Sequence, residues 1–302
     1  MDFLDALEGM SDETLDVKNL SPRAQQDIIE EFKGDNRLQT IDLIWSGHTQ
    51  ASCCLAVMAG WEYGICSANE ICRYAENSSS KYPHAPVFVD NPYERYDHET
   101  HLAEVKKYHP RYATVRDMMT QEQCAEADIE YFSFEQILDW GEELREYTDN
   151  VILIPKYDVL DKIPDHFMLG YSIPTSYGGT PIDIKRFEGR RVHLLGGSPN
   201  KQIAYLSQIP DSVVSLDNNY LSKIAARGQM WLVNGMSASL KELNLSNKNK
   251  IFSSEEIGFD RLNNVMNICL AISLTSFATY FRRQYVNQIE LLKELEEANS
   301  GE

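Results

Sequence analysis

Between Val192 and Trp231 the sequence twice builds a short apolar run and stops it on a residue suited to meet a ligand. Val192-His193-Leu194-Leu195 stops on Gly196-Gly197-Ser198-Pro199, and Val213-Val214-Ser215-Leu216 stops on Asp217-Asn218-Asn219. A helical segment over Lys201–Gln208 is expected between them. Runs this short and apolar suit strands buried on both faces, which need helices to cover them. In α/β proteins built this way, the chemistry sits at the carboxyl ends of the parallel strands.

The same pattern recurs from residue 39 onward. Strand-like runs fall at Ile41–Trp45, Trp61–Cys66, Pro86–Asp90, Tyr112–Asp117, Val151–Lys156, Met168–Ile173, Val192–Gly196 and Val213–Asp217. Helices are expected over His48–Ala59, His98–Tyr108, Phe134–Tyr147 and Lys201–Gln208, with one more after Asn219. Ser133 is a fitting N-cap for the third of these, with Gln136 three residues on as in a capping box. Eight strand units predict an α/β (β/α)8 TIM-type barrel. They occupy about 190 residues where about 250 is usual, so some connections must be loops rather than full helices. An open doubly wound sheet is the competing fold. Neither a G-x-G-x-x-G fingerprint nor a Walker loop occurs to favour it.

The organisation expected is an N-terminal helical extension (1–38), the barrel (39–235), and a polar excursion with a C-terminal helix packing on the barrel (236–302). Ser21-Pro22 and Gly34 mark the ends of a helix in the first part. The run Val265–Phe281 carries Asn267, Ser273, Thr275, Ser276 and Thr279, which suits a buried helix better than a membrane span. The six cysteines lack disulfide-scaffold density and Cys-x-x-Cys spacing, and the N-terminus is acidic. A cytoplasmic protein with reduced thiols is expected (host cytoplasm if the source is viral), with no structural zinc and no membrane association. A formal charge of −18 argues against a general nucleic-acid-coating surface, although Lys185, Arg186, Arg190 and Arg191 cluster ahead of the central stretch.

Three of the runs end in aspartate: Asp90, Asp117 and Asp217. In a barrel all three carboxylates face one mouth. Crowded acids in a partly dry site push their pKa values apart, which allows acid/base or nucleophilic work. Each alone also reads as a helix N-cap. Lys156 ends a fourth run, where it can meet an anion, hydrogen-bond a base carbonyl, or simply pair with Asp158. Tyr171, within the sixth run, and Tyr177, just beyond it beside Gly178-Gly179, can stack on a planar ligand or pack in the core. His48, just past the first run, is a candidate substrate contact. His193 lies within a strand and reads more readily as a core histidine, and Cys53-Cys54 as packing.

The order Asp90, Asp117, Lys156, Leu195-Gly196-Gly197, Asp217 and Ala226-Arg227-Gly228 resembles the guanine transglycosylases, the tRNA-guanine and phage or bacterial DNA-guanine enzymes. Strings such as Val-His-Leu-Leu-Gly-Gly-Ser-Pro (192–199) and Gly-Trp-Glu-Tyr-Gly (60–64) also resemble a family of uncharacterised viral and archaeal proteins. The transglycosylase resemblance implies a barrel with Asp217 as nucleophile on the sugar C1′, Asp90 as general acid/base, and Asp117 reading the guanine edge. Lys156, Gly196 and Gly197 would contact the base. The family's Asp-Ser-Gly-Gly-Phe motif is here Asp90-Asn91-Pro92-Tyr93, and its zinc-binding Cys/His cluster has no counterpart. The activity implied is exchange of guanine or a 7-deazaguanine in DNA or RNA, without a cofactor. The partner is a purine base or nucleotide, or DNA or tRNA delivered by a further protein. A nucleoside or nucleotide N-glycoside hydrolase is the first alternative, and a catalytically inactive barrel used for binding or assembly is the second.

Overall fold

The computed structural model describes residues 41–46, 50–66, 85–175, 178–232, 237–239 and 266–281. All of them belong to one compact unit, Thr40–Arg282; the other unit, Met1–Gln39 with Arg283–Glu302, lies outside the described residues. The expected helical extension over 1–38, most of the polar excursion, His48 and Tyr177 therefore also lie outside them.

Eight parallel strands close into a barrel in sequence order. They are β1 Asp42–Trp45, β2 Glu62–Cys66, β3 Phe88–Asp90, β4 Tyr112–Thr114, β5 Asn150–Leu153, β6 Met168–Ser172, β7 Val192–Leu195 and β8 Val213–Asn218. Closure is made by β8 on β1, from Asp42 opposite Ser215 to Trp45 opposite Asn218. All eight expected runs are strands, and the open sheet is excluded. Among the described residues the helices between and after the strands are α1 Gln50–Met58, α2 His98–Tyr108, α3 Gln121–Ala127, α4 Phe134–Leu144, α5 Pro199–Leu206 and α6 Tyr220–Ala225. Ser133 caps α4, accepting from the Gln136 amide.

The short length of the barrel has a local cause. Between β5 and β6, and between β6 and β7, the chain crosses with only single 3-10 turns, Leu160–Lys162 and Ile184–Phe187. One helix was not expected from the sequence: α3, started by a capping box in which Thr120 accepts from the Gln123 amide and the Gln123 side chain accepts from the Thr120 amide. A small antiparallel pair, β9 Gln229–Trp231 with β10 Ser237–Ser239, also lies outside the barrel.

Strand side chains alternate between the barrel interior and the surrounding shell. Outward residues such as Trp45, Val89, Val151, Leu169 and Leu216 join the main core under the helices. Inward residues Ile44, Phe88, Tyr112, Ile152, Ile154 and Met168 form a separate inner cluster. Each such side chain contributes about 1.5–3 kcal/mol on burial. The inner cluster makes the barrel a packed core rather than a pore. Its lower end is closed by Arg111, which bonds Asp42 at 2.7 Å and Glu62 at 2.9 Å, while the Tyr112 hydroxyl donates to Asp42 at 2.7 Å.

Residues 266–281 are helical, as expected, and bury Cys269, Leu270, Ser273, Leu274, Phe277 and Ala278 along one stripe. Trp61 fixes the helix from the barrel side: its indole N–H donates to the Leu274 carbonyl at 2.9 Å, and its ring stacks on Phe277 at 5.3 Å. Among the described residues no helix is long and apolar enough to cross a membrane. None of the five described cysteines is in a disulfide.

Candidate active site

On β3 and β4 the inner face changes from apolar to polar toward the carboxyl end of the barrel: Phe88 is followed two residues later by Asp90, and Tyr112 by Thr114; on β8 the inward Ser215 is followed by Asp217. The apolar layer thus forms a floor, and the polar residues stand above it in the mouth.

Asp217 is held from three sides. Its Oδ2 accepts from the Ser46 hydroxyl at 2.6 Å, and its Oδ1 accepts from the Gly196 amide at 3.0 Å. His193 Nε2 lies 3.5 Å from the same Oδ1. The Gly196 amide points this way because Gly196 and Gly197 both take left-handed backbone angles, φ 62° and 81°, which favour glycine. The turn is clamped by Gln202 on α5. Its amide donates to Gly196 O at 3.0 Å and to Asp217 O at 2.6 Å, and its oxygen accepts from Asn218 Nδ2 at 2.8 Å.

Asp90 sits in a different environment. Its Oδ1 accepts from Thr114 Oγ1 and from the Asn91 amide, both at 2.9 Å. Burial, and then the nearby Asp217 carboxylate, push Asp90 up to about 7; Thr114 pulls the other way and Asp117 adds a smaller upward push. Two carboxyl groups remote in sequence therefore stand in one electrostatic neighbourhood. Asp117 lies three residues beyond the end of β4, where the chain keeps pairing with its neighbour through Met118 and Pro155. It is buried and meets Lys156 Nζ at 3.3 Å.

The sequence-level candidates thus divide. Asp90, Asp117, Lys156, Gly196 and Asp217 come together at the mouth. Lys156 pairs with Asp117 and not with Asp158, which Arg186 holds instead at 2.8 Å. Gly197 stands at the turn, but a Cβ there would meet Ile173 at 2.7 Å, whereas Gly196 faces open space. Tyr171 is not in the mouth. It is 3% exposed and alternates outward into the shell, edge-on to Phe187 at 5.2 Å and tilted against Tyr205 at 5.1 Å. The basic cluster is displaced too. Arg191 immediately precedes β7, at the strand end opposite the mouth, and Arg190 is spent on the carbonyls of Ile163, Pro164 and Phe167.

Two residues at the site, Ser46 and Thr114, went unread in the sequence, and a third, His193, was read there only as a core histidine. His193 is 0% exposed, as a core histidine would be, but it faces into the barrel directly beside Asp217. Strand parity was the available signal, because His193 and Leu195 share a face and that face leads to the glycine turn. Parity alone does not say which face is inward in a strand buried on both sides.

Among the described residues no group of three or more His, Cys, Asp and Glu side chains is arranged to hold a metal ion. Fold and site together define a TIM-type (β/α)8 barrel with a carboxylate-lined mouth. The chain belongs to the family described as "Family of unknown function (DUF6610)", whose model matches residues 56–254. No curated protein matches it. Among solved structures it is similar to a Coccidioides immitis chain assigned as a fructose-1,6-biphosphate aldolase. The identity is 10% and the TM-score 0.46, over 90% of this chain and 97% of that one. A likeness at that level bears on neither substrate nor mechanism.

Proposed function

We propose that the protein acts on an N-glycosidic bond to a purine, exchanging guanine or a 7-deazaguanine in a nucleoside or nucleic acid. The observation that carries this reading is the pair of carboxyl groups at one mouth in unlike surroundings. Asp217 accepts hydrogen bonds on both oxygens, while Asp90 is pushed up to about 7 and so holds a proton at neutral pH for much of the time. A group titrating near the working pH is well suited to give a proton and take one back. Asp217 attacks C1′ through one oxygen, the bonding pair of the C1′–N bond passes to the purine, and Asp90 protonates the departing base. An incoming base runs the same steps backward, displacing Asp217 and returning its proton to Asp90.

The Asp117–Lys156 pair supports guanine as the base. A carboxylate acceptor and an ammonium donor 3.3 Å apart match an edge that offers N–H groups beside a carbonyl oxygen. Adenine presents the opposite polarity along that edge. The net charge of −18 favours a free nucleoside or nucleotide, or a nucleic acid handed over by a partner protein, over unaided capture of a phosphate backbone. A nucleic-acid substrate must present its base flipped out of any stack.

The test is incorporation of labelled guanine into DNA, tRNA and free guanine nucleosides, with release of unlabelled base followed in parallel. Wild-type protein is expected to incorporate label, and Asp217→Ala to lower the rate by about 10³-fold or more. Base release without incorporation replaces exchange by hydrolysis at the same site. Turnover unchanged in Asp217→Ala ends the proposal.

A further inference from the structure

The floor beneath Asp217 contains a polar group that neither the apolar layer nor the clamp explains. His193 is completely buried, yet its Nε2 has no hydrogen-bond partner among the described residues. The ring is fixed on every other side. Phe88 stacks on it at 5.1 Å and 25°, Tyr112 lies against it at 6.4 Å, and Nδ1 is 2.8 Å from Ser215 Oγ. Nε2 lies 3.5 Å from Asp217 Oδ1. A buried polar atom left without a partner costs about 1–3 kcal/mol, so its persistence here needs a reason.

The two neutral tautomers are not equivalent in this setting. If Nδ1 carries the proton and donates to Ser215, the Nε2 lone pair faces a carboxylate oxygen across a dry gap, which is repulsive. If Ser215 donates to Nδ1, Nε2 carries the proton and points it at Asp217. We propose that His193, held as its Nε2–H tautomer by Ser215, is a positioning residue for Asp217. It donates to Oδ1 from below, so that Oδ2 is the oxygen offered to the sugar carbon.

The count of donors supports this division. Among the described residues, Oδ1 then receives two N–H groups, from Gly196 and His193, and Oδ2 only the Ser46 hydroxyl, leaving Oδ2 a lone pair for C1′. A shift of about 0.5 Å brings Nε2 into ordinary hydrogen-bond range. The contact matters most when negative charge returns to Asp217 as the incoming base displaces it, because a preorganised donor then meets that charge at no cost in rearrangement. The other polar groups at the mouth among the described residues include Ser46 just past β1, Asp90 from β3, Thr114 from β4, Asp117 beyond β4 and Lys156 beyond β5.

This inference rests on the proposed role of Asp217, and its test separates the two. Nitrogen-15 NMR of histidine-labelled, full-length protein, with the His193 signals assigned by their loss in His193→Phe, reads the tautomer without any substrate. The Nε2–H form is expected; the Nδ1–H form overturns the proposal. In the exchange assay, His193→Phe is expected to lower kcat by roughly 10- to 100-fold, the size of one charge-assisted hydrogen bond. His193→Gln, which keeps a donor near the Nε2 position, is expected to restore part of the loss. Equal rates in wild type and a folded His193→Phe overturn the positioning role. Failure of the functional reading shows itself differently, as turnover indifferent to Asp217→Ala whatever the tautomer.

Discussion

Asp90 and Asp217 have the same side chain, yet their surroundings ask different things of it. Asp217 meets an amide and a hydroxyl aimed at its two oxygens, whereas burial and the charge of Asp217 both favour the neutral form of Asp90. The consequence for stability has a definite sign. The folded value, about 7, lies above the 3.8 expected of an unfolded aspartate, so the folded state binds the extra proton between those two pH values. Asp90 therefore contributes stability that is fully present below pH 3.8 and is lost as pH rises through 7. Asp90→Asn removes the charge without removing the shape. Thermal unfolding is expected to show it more stable than wild type at pH 8, by an amount on the order of a few kcal/mol, with the gap closing toward pH 4. A gap independent of pH would contradict the account. Asp90 and Asp217 were legible in the sequence because each ends an apolar run. Ser46 and Thr114 were not, and His193 was legible as buried but not as a neighbour of Asp217, because a hydroxyl or an imidazole in or beside such a run looks the same whether it faces a neighbour strand, the shell or a carboxylate.

At the scale of the element, the turn after β7 sets where Asp217 can point. Gly196 and Gly197 share a left-handed backbone but not the same surroundings. Alanine at either costs about 1–2 kcal/mol for the backbone conformation. At 197 the new methyl also meets Ile173 at 2.7 Å, which adds an overpacking cost of about 1–3 kcal/mol. Gly197→Ala is thus expected to lower the unfolding midpoint in denaturant more than Gly196→Ala does; equal midpoints, or the reverse order, would show that the turn relaxes freely. The sequence made the turn visible through its paired glycines. It did not show the clamp, because Gln202 reads as an ordinary polar position on α5 until the helix is packed over β8. Tyr171 misled for a related reason. Its place near the end of a strand suggested the mouth, but one step of alternation decides between mouth and shell, and here that step turns it outward to Phe187. The helix α3 was missed because a seven-residue segment has little periodicity to read, and only its capping box announces it.

At the scale of the molecule, barrel closure does what no single element can. β8 returns to β1, which sets Ser46 against Asp217, and β2 pairs with β3 so that Cys66 lies beside Asp90 in register. The eight-strand order was readable because each run is apolar, short and bounded, and because the spacing leaves room for little else. The two abbreviated crossings follow from the same shortage of residues. Closure also places the acidic groups near enough to act on one another, and the functional reading depends on that convergence. The most direct test is carbon-13 NMR of the aspartate carboxyl groups as pH is raised, with Asp90 assigned by Asp90→Asn. Asp90 is expected to titrate at about 7, and Asp217→Asn to lower that midpoint by removing the neighbouring charge. An Asp90 that titrates in the ordinary carboxylate range, or one whose midpoint ignores Asp217→Asn, would contradict the shared site.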